Sequence, residues 1–80
     1  MRITVHLHAI LRKYLPPGSN GNAMLDMPEG TTVADVIRHL GIPQGHTKMM
    51  VCGDEYLELA SMLRDGQEIN LFPPLAGGAG

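Results

Sequence analysis

Aromatic residues and cysteine are scarce in this sequence. The chain has no tryptophan, one phenylalanine, two tyrosines and a single cysteine, Cys52. A lone cysteine cannot form an internal disulfide, which indicates a reducing compartment, and we expect a cytoplasmic protein. Six basic and eight acidic residues give a net charge of −2. Without an excess of positive charge or aromatic side chains for base stacking, the composition predicts no nucleic-acid partner.

Long apolar stretches are missing as well. None approaches the roughly 18 residues of a membrane-spanning helix, and the first residues lack the apolar segment of a secretory signal, so we expect no membrane association. With 80 residues, of which 44% are hydrophobic, the chain supports one small core but no enclosed cleft for a large substrate. Any reaction is therefore expected at an edge or a terminus, or in the pocket of a partner.

The order of the hydrophobic patterns predicts one α+β domain over residues 1–72. Residues 3–7 alternate between apolar and polar side chains, a period that is typical of a half-buried strand. Less regular patterns predict a helical turn over 10–15 and further strands over 23–27, 48–52, 56–59 and 67–72. We expect a mixed sheet of four to five strands, with residues 56–59 at an edge.

The main helix is predicted over residues 32–40. Thr32 can cap its N-terminus because Asp35 follows three residues later, and Gly41 suits the position just after its end. Four apolar residues at helical spacing form the buried face: Val33, Val36, Ile37 and Leu40. The sheet is therefore expected to pack on this one main helix.

Alternation also predicts which side chains near the end of the domain reach the core. In the last strand Ile69 and Leu71 point inward, and Phe72 points outward. Met62 and Leu63, in the preceding turn, are predicted to fill the core. An outward Phe72 is either an anchor for a partner protein or a cover for the sheet edge.

Residues 73–80 differ in composition from the rest of the chain. Seven of the eight are proline, glycine or alanine, which predicts a flexible C-terminal tail. The prolines come first and favour an extended chain, and the later glycines carry no side chain. Such a tip could enter a narrow tunnel in a partner, where its carboxylate would be adenylated by ATP and then attacked by a sulfur nucleophile. A frayed end without a chemical role is the alternative.

A specific combination of motifs closes the sequence. Asp65-Gly66 is followed by Phe72-Pro73-Pro74 and then by Gly77-Gly78. This combination resembles the C-terminal signature of the small subunit of molybdopterin synthase, one of the ubiquitin-like sulfur carriers, and weaker similarity spans nearly the whole chain. The resemblance implies a β-grasp, ubiquitin-like fold. It also implies a carrier rather than an enzyme, with the catalytic residues on partner enzymes.

The resemblance further implies site residues and partners. Gly78 matches the terminal glycine that is adenylated and then thiocarboxylated, with ATP bound by the activating enzyme and no cofactor bound permanently to the carrier. The segment that enters the partner corresponds to Pro73, Pro74, Leu75, Ala76 and Gly77. The implied partners are a ubiquitin-activating-like adenylyltransferase and the large subunit of molybdopterin synthase, which uses the sulfur to build a molybdenum or tungsten cofactor.

Ala79 and Gly80 depart from the family pattern, which ends at the second glycine. Removal of both by a processing protease is favoured, because Gly77-Gly78 lies at the family's distance from the prolines. Alternatively the protein acts from Gly80, or it has lost the carrier role. Three other functions stay open: a ubiquitin-like protein modifier, a carrier for another pathway such as thiamine synthesis, and a β-grasp interaction module that forms no conjugate.

Three further side chains could take part in chemistry. His6 and His8 lie two residues apart on the first strand and could form half of a metal site, but solvated strand histidines and no metal are the favoured interpretation. Cys52 is interpreted as a small, partly buried strand residue rather than a nucleophile, because no histidine or second cysteine stands at motif spacing.

Overall fold

A computed structural model describes residues 1–19, 21–43 and 45–74 of the chain. It contains five strands: β1 (Arg2–Leu7), β2 (Asn22–Asp26), β3 (Met49–Cys52), β4 (Glu55–Leu57) and β5 (Glu68–Phe72). A 3₁₀ helix (Ala9–Tyr14) follows β1, and an α-helix, α1 (Val33–His39), follows β2. Each predicted strand and helix is confirmed, with bounds that shift by three residues or fewer.

The sheet is mixed, with strand order β2-β1-β5-β3-β4. Strands β1 and β5 are parallel, with Val5 opposite Ile69 and Leu7 opposite Leu71. The other three pairings are antiparallel. The first and last strands of the domain are therefore neighbours in the middle of the sheet, and β4 lies at an edge as predicted.

The hydrophobic core lies between one face of the sheet and α1. Alternate residues of the two central strands are completely buried, which confirms the inward orientation of Ile69 and Leu71. The helix contributes Val33, Val36 and Ile37 to the same cluster. Burial of this apolar surface is the main force that holds the helix against the sheet.

The N-terminus of α1 is closed by the predicted cap. The Thr32 backbone N–H donates to Asp35 Oδ2 at 3.0 Å, and the Asp35 backbone N–H donates to Thr32 Oγ1 at 3.3 Å. The bond from the Thr32 backbone N–H, and after it the Thr32 hydroxyl beside the carboxyl, hold the pKa of Asp35 below its ordinary value of 3.8. Arg38 Nη2 adds an ion pair with Asp35 Oδ1 at 2.8 Å.

The C-terminus of α1 is closed by a left-handed glycine. Gly41 has a φ of +78° and donates to the carbonyl of Arg38, while the Ile42 N–H donates to the carbonyl of Ile37. This pair of bonds is a Schellman motif, and the buried side chains of Ile37 and Ile42 are its hydrophobic part. No helix in the described ranges is long and apolar enough to cross a membrane.

One core prediction is wrong. Leu63 is buried, but Met62 is 67% exposed. Met62 forms an isolated antiparallel bridge with Thr32, and the Leu63 N–H donates to the carbonyl of Thr31. The segment is therefore extended rather than turned at this point, and successive side chains of an extended segment point to opposite sides. Only one of the two residues can fill the core.

Candidate functional site

The candidate site begins where the central strand β5 ends. The His8 N–H donates to the carbonyl of Leu71 at 3.2 Å, and the Lys48 N–H donates to the carbonyl of Phe72 at 2.8 Å. The strand is thus bonded on the β1 side through Leu71 and on the β3 side through Phe72, its last residue. The two prolines that follow have no N–H to continue this pattern. Phe72 therefore marks the point at which the chain leaves the sheet.

Phe72 lies on the outer face of the sheet, opposite the helix. It is partly buried, and its ring stacks on the His8 imidazole with 4.3 Å between centroids and 6° between planes. The outward orientation is confirmed. The sheet-edge interpretation is wrong, because β5 is the central strand. His8 is not a solvated histidine either, since its ring is covered on one side by Phe72 and its Nε2 lies 2.8 Å from Asn70 Oδ1.

The second histidine of β1 has a different partner. His6 Nε2 lies 3.1 Å from Glu68 Oε1, at an exposed position two residues from His8. Each histidine is thus engaged with a side chain of β5, and the two do not converge on a common point. Within residues 1–19, 21–43 and 45–74 no group of three histidine, cysteine or acidic side chains is arranged to hold a metal ion.

Apolar side chains extend the outer face from Phe72 towards β4. Met49 lies directly opposite Phe72, and Val51 lies directly opposite Tyr56. Met49 and Tyr56 are 38% and 73% exposed. We call these four residues, Phe72, Met49, Val51 and Tyr56, the outer patch. An exposed apolar surface of this kind, adjacent to the start of the tail, can contact a partner protein.

The remaining surface features lie apart from the start of the tail. A depression of about 290 Å³ lies beside α1, and its apolar lining includes Ala34, Ile37, Ile42 and Leu59. Cys52 is partly buried, as predicted, and Gln67 Nε2 donates to its sulfur at 3.6 Å. The lining of the depression and the bond to Cys52 involve neither Phe72 nor His8, so both features are left out of the candidate site.

The structure places only part of the predicted site. Phe72 and Pro73 are partly buried, and Pro74 is exposed. The remaining predicted site residues lie outside the described residues: Leu75, Ala76, Gly77, Gly78 and Gly80. Sequence reasoning missed His8 and Asn70 as contacts of the strand end. Period-two alternation places both on the outer face, but their contact depends on the parallel register of β1 and β5.

Comparisons with known proteins agree with this architecture. Residues 5–78 match the model of the ThiS family. A protein from Pyrococcus furiosus provisionally assigned as molybdopterin converting factor, subunit 1, is similar in structure with a TM-score of 0.69 and 19% identity, over 92% of this chain and 98% of that one. No curated protein sequence matches the chain.

Small archaeal modifier protein 1 from Haloferax volcanii is similar in two solved structures. One has a TM-score of 0.70 and 22% identity, over 92% of this chain and 98% of that chain. The other has a TM-score of 0.72 and 24% identity, over 98% of this chain and 100% of that chain. With the mixed five-stranded sheet on one helix, these likenesses confirm the ubiquitin-like β-grasp fold.

Proposed function

The chain belongs to the ThiS family, and we propose that it is a sulfur carrier whose Gly78 is adenylated and then thiocarboxylated to supply sulfur for a molybdenum or tungsten pterin cofactor. The observation that carries the proposal is the position of the strand end relative to the family match. Phe72 is the last residue of β5 and its carbonyl still accepts from the Lys48 N–H, two prolines follow, and the family match ends at Gly78.

Distance supports this use of the tail. Gly78 lies six positions after Phe72, and an extended chain spans at most about 3.5 Å per residue, so the glycine can reach about 20 Å from the sheet. Because glycine has no side chain, a tip that ends in two glycines is no wider than the main chain itself. A tunnel that admits a bare main chain and excludes side chains would therefore select this tail.

The proposed chemistry takes place in two steps at one carbonyl. A Gly78 carboxylate oxygen attacks the α-phosphorus of ATP, and pyrophosphate leaves to give an acyl adenylate. Hydrosulfide then adds to the carbonyl carbon, AMP departs with the bonding pair, and loss of the S–H proton leaves the thiocarboxylate. The partner that supplies the catalytic groups is a ubiquitin-activating-like adenylyltransferase, and the proposed acceptor is the large subunit of molybdopterin synthase.

Ala79 and Gly80 must be removed before Gly78 can react. Hydrolysis of the Gly78–Ala79 peptide bond by a protease creates the required carboxylate. Reaction from Gly80 is the alternative, with a tip that reaches about 7 Å further. The proposed location is the cytoplasm, in line with a single cysteine.

A protein modifier is the second candidate function. It is favoured by the two similar structures whose printed names describe a small archaeal modifier protein. The modifier shares the adenylation step, but a lysine amine attacks the carbonyl and an isopeptide bond forms. The final product, a thiocarboxylate or an isopeptide bond, therefore distinguishes the two functions, whereas a measurement of adenylation does not.

The test compares two purified forms, one ending at Gly78 and one that retains Ala79 and Gly80. Each is incubated with the activating enzyme and ATP, and pyrophosphate release is measured. A sulfur donor is then added, and the intact mass is recorded. We expect pyrophosphate release and the replacement of one oxygen by sulfur in the Gly78 form only. A form ending at Gly77 is the matched control and should remain unmodified.

Each alternative has its own result. Activity of the longer form alone would show reaction from Gly80. Isopeptide adducts on other proteins without sulfur gain would favour the modifier. No pyrophosphate release from either form would contradict both functions and leave an interaction module. The molybdopterin role requires that the thiocarboxylated form bind the large subunit and convert the pterin precursor, and failure of both would exclude that pathway.

A further inference from the structure

His8 contacts three successive residues at the end of the central strand. Its backbone N–H donates to the carbonyl of Leu71 at 3.2 Å, its Nε2 lies 2.8 Å from Asn70 Oδ1, and its ring stacks on Phe72. Many core residues hold strands together, but this residue lies on the outer face and directly at the start of the tail. Its side chain is therefore placed to control how Phe72 is presented.

We propose that His8 is a positioning residue: its imidazole holds the Phe72 ring in the orientation that the activating enzyme contacts. This proposal rests on the proposed function, because it takes the adenylyltransferase as the partner that binds the strand end. His8 touches neither ATP nor the reacting carbonyl in this account, and it acts only through Phe72.

The ring plane of His8 is fixed from two sides. The backbone is held by the parallel pairing with β5, and the bond to Asn70 fixes rotation of the imidazole. Asn70 Oδ1 is an acceptor, so His8 Nε2 carries the hydrogen. Both the neutral tautomer protonated there and the imidazolium can donate in this way. A flat ring held like this gives the Phe72 ring one preferred plane at 6° to it.

Preordering of Phe72 has a measurable consequence. A side chain that must be ordered when a partner binds lowers the affinity by about two- to tenfold. Loss of the His8 ring removes the flat surface that is stacked on Phe72, so the Phe72 side chain gains rotamer freedom that it must lose again when the partner binds. The effect falls on binding and not on the chemical step, which takes place at Gly78.

The experiment measures ATP–pyrophosphate exchange by the activating enzyme as a function of carrier concentration, with the form ending at Gly78. We expect His8→Ala to raise the KM for the carrier about two- to tenfold with kcat unchanged. His8→Phe keeps a flat ring against Phe72 and should restore most of the wild-type KM. His6→Ala is the matched control, because His6 is on the same face of β1 and its side chain pairs with Glu68 instead of Asn70 or Phe72. Its KM should stay at the wild-type value.

A spectroscopic measurement tests the stack itself. The ring-proton NMR resonances of His8 should be shifted by the ring current of Phe72 and should return towards free values in Phe72→Leu, while those of His6 stay unchanged. Unshifted His8 resonances in the wild type would overturn the proposal. Should His8→Ala fail to fold, Asn70→Ala decides, since it removes only the bond that orients the imidazole and should also raise the KM.

The positioning role of His8 and the proposed function are contradicted by different results. If the wild type supports ATP–pyrophosphate exchange and His8→Ala or Asn70→Ala leaves the KM unchanged, the positioning role alone is wrong. A lower kcat at constant KM in His8→Ala overturns it as well. A wild-type protein that supports no exchange overturns the proposed function, and the positioning role with it.

Discussion

Two neighbouring residues of β5, Leu71 and Phe72, are predicted to have opposite roles. Leu71 is fully buried under α1, whereas Phe72 lies partly buried on the outer face. Leu71→Ala removes buried methyl groups and leaves a cavity, which lowers the free energy of unfolding by about 3 kcal/mol. In Phe72→Ala the space left by the ring is open to solvent and no closed cavity forms. We therefore expect the free energy of unfolding to fall by about 1–2 kcal/mol.

These costs are large relative to the total stability, since a domain of this size has a free energy of unfolding of about 4–12 kcal/mol. Urea unfolding is the assay. With a slope of about 1 kcal/mol per molar urea, the midpoint should fall by about 3 M for Leu71→Ala and by about 1–2 M for Phe72→Ala. Activation by the adenylyltransferase should show the reverse order, with the larger loss in Phe72→Ala.

The result that refutes this reasoning is equal or greater destabilisation by Phe72→Ala, with unchanged slopes. The assignment of the two faces of β5 would then be wrong, and so would the outer patch as a partner surface. Met49→Ala is the control on the outer face. Met49 is more exposed than Phe72 and should shift the midpoint least of the three.

Three further predictions concern the ends of α1. Thr32→Ala removes the cap and should lower the free energy of unfolding by about 1 kcal/mol in urea titrations. The pKa of Asp35 is lower in the folded state than in the unfolded state. The ionised carboxylate therefore stabilises the fold when the pH is above the unfolded pKa, and this contribution is lost as the pH falls through the lower, folded pKa. Urea midpoints between about pH 5 and pH 2 should therefore fall more steeply for the wild type than for Asp35→Asn, and parallel curves would contradict this. Gly41→Ala forces a side chain into a φ of +78° with open space around it, and thermal unfolding should show a loss of about 1 kcal/mol.

Local patterns were sufficient for the elements and for their buried faces. The alternation in β1 and the cap at Thr32 depend on residues within one turn or one strand, and the structure confirms both. The family was also predictable, because the C-terminal motifs that resemble it, from Asp65-Gly66 to Gly77-Gly78, lie within one short stretch of the sequence.

Contacts between distant segments were not predictable in the same way. The contact of His8 with Asn70 and Phe72 joins residues more than sixty positions apart and requires the parallel register of β1 and β5. The error at Met62 has a related cause. Its bridge to Thr32 makes the segment extended, and this pairing has no signal in the local pattern.

The central proposal is that the Gly78 carboxylate is activated by adenylation and converted to a thiocarboxylate. The most direct measurement is the intact mass of the untagged protein isolated from its native cell. We predict a chain that ends at Gly78, with a fraction in which one terminal oxygen is replaced by sulfur. A population that always retains Ala79 and Gly80 and never gains sulfur would contradict it.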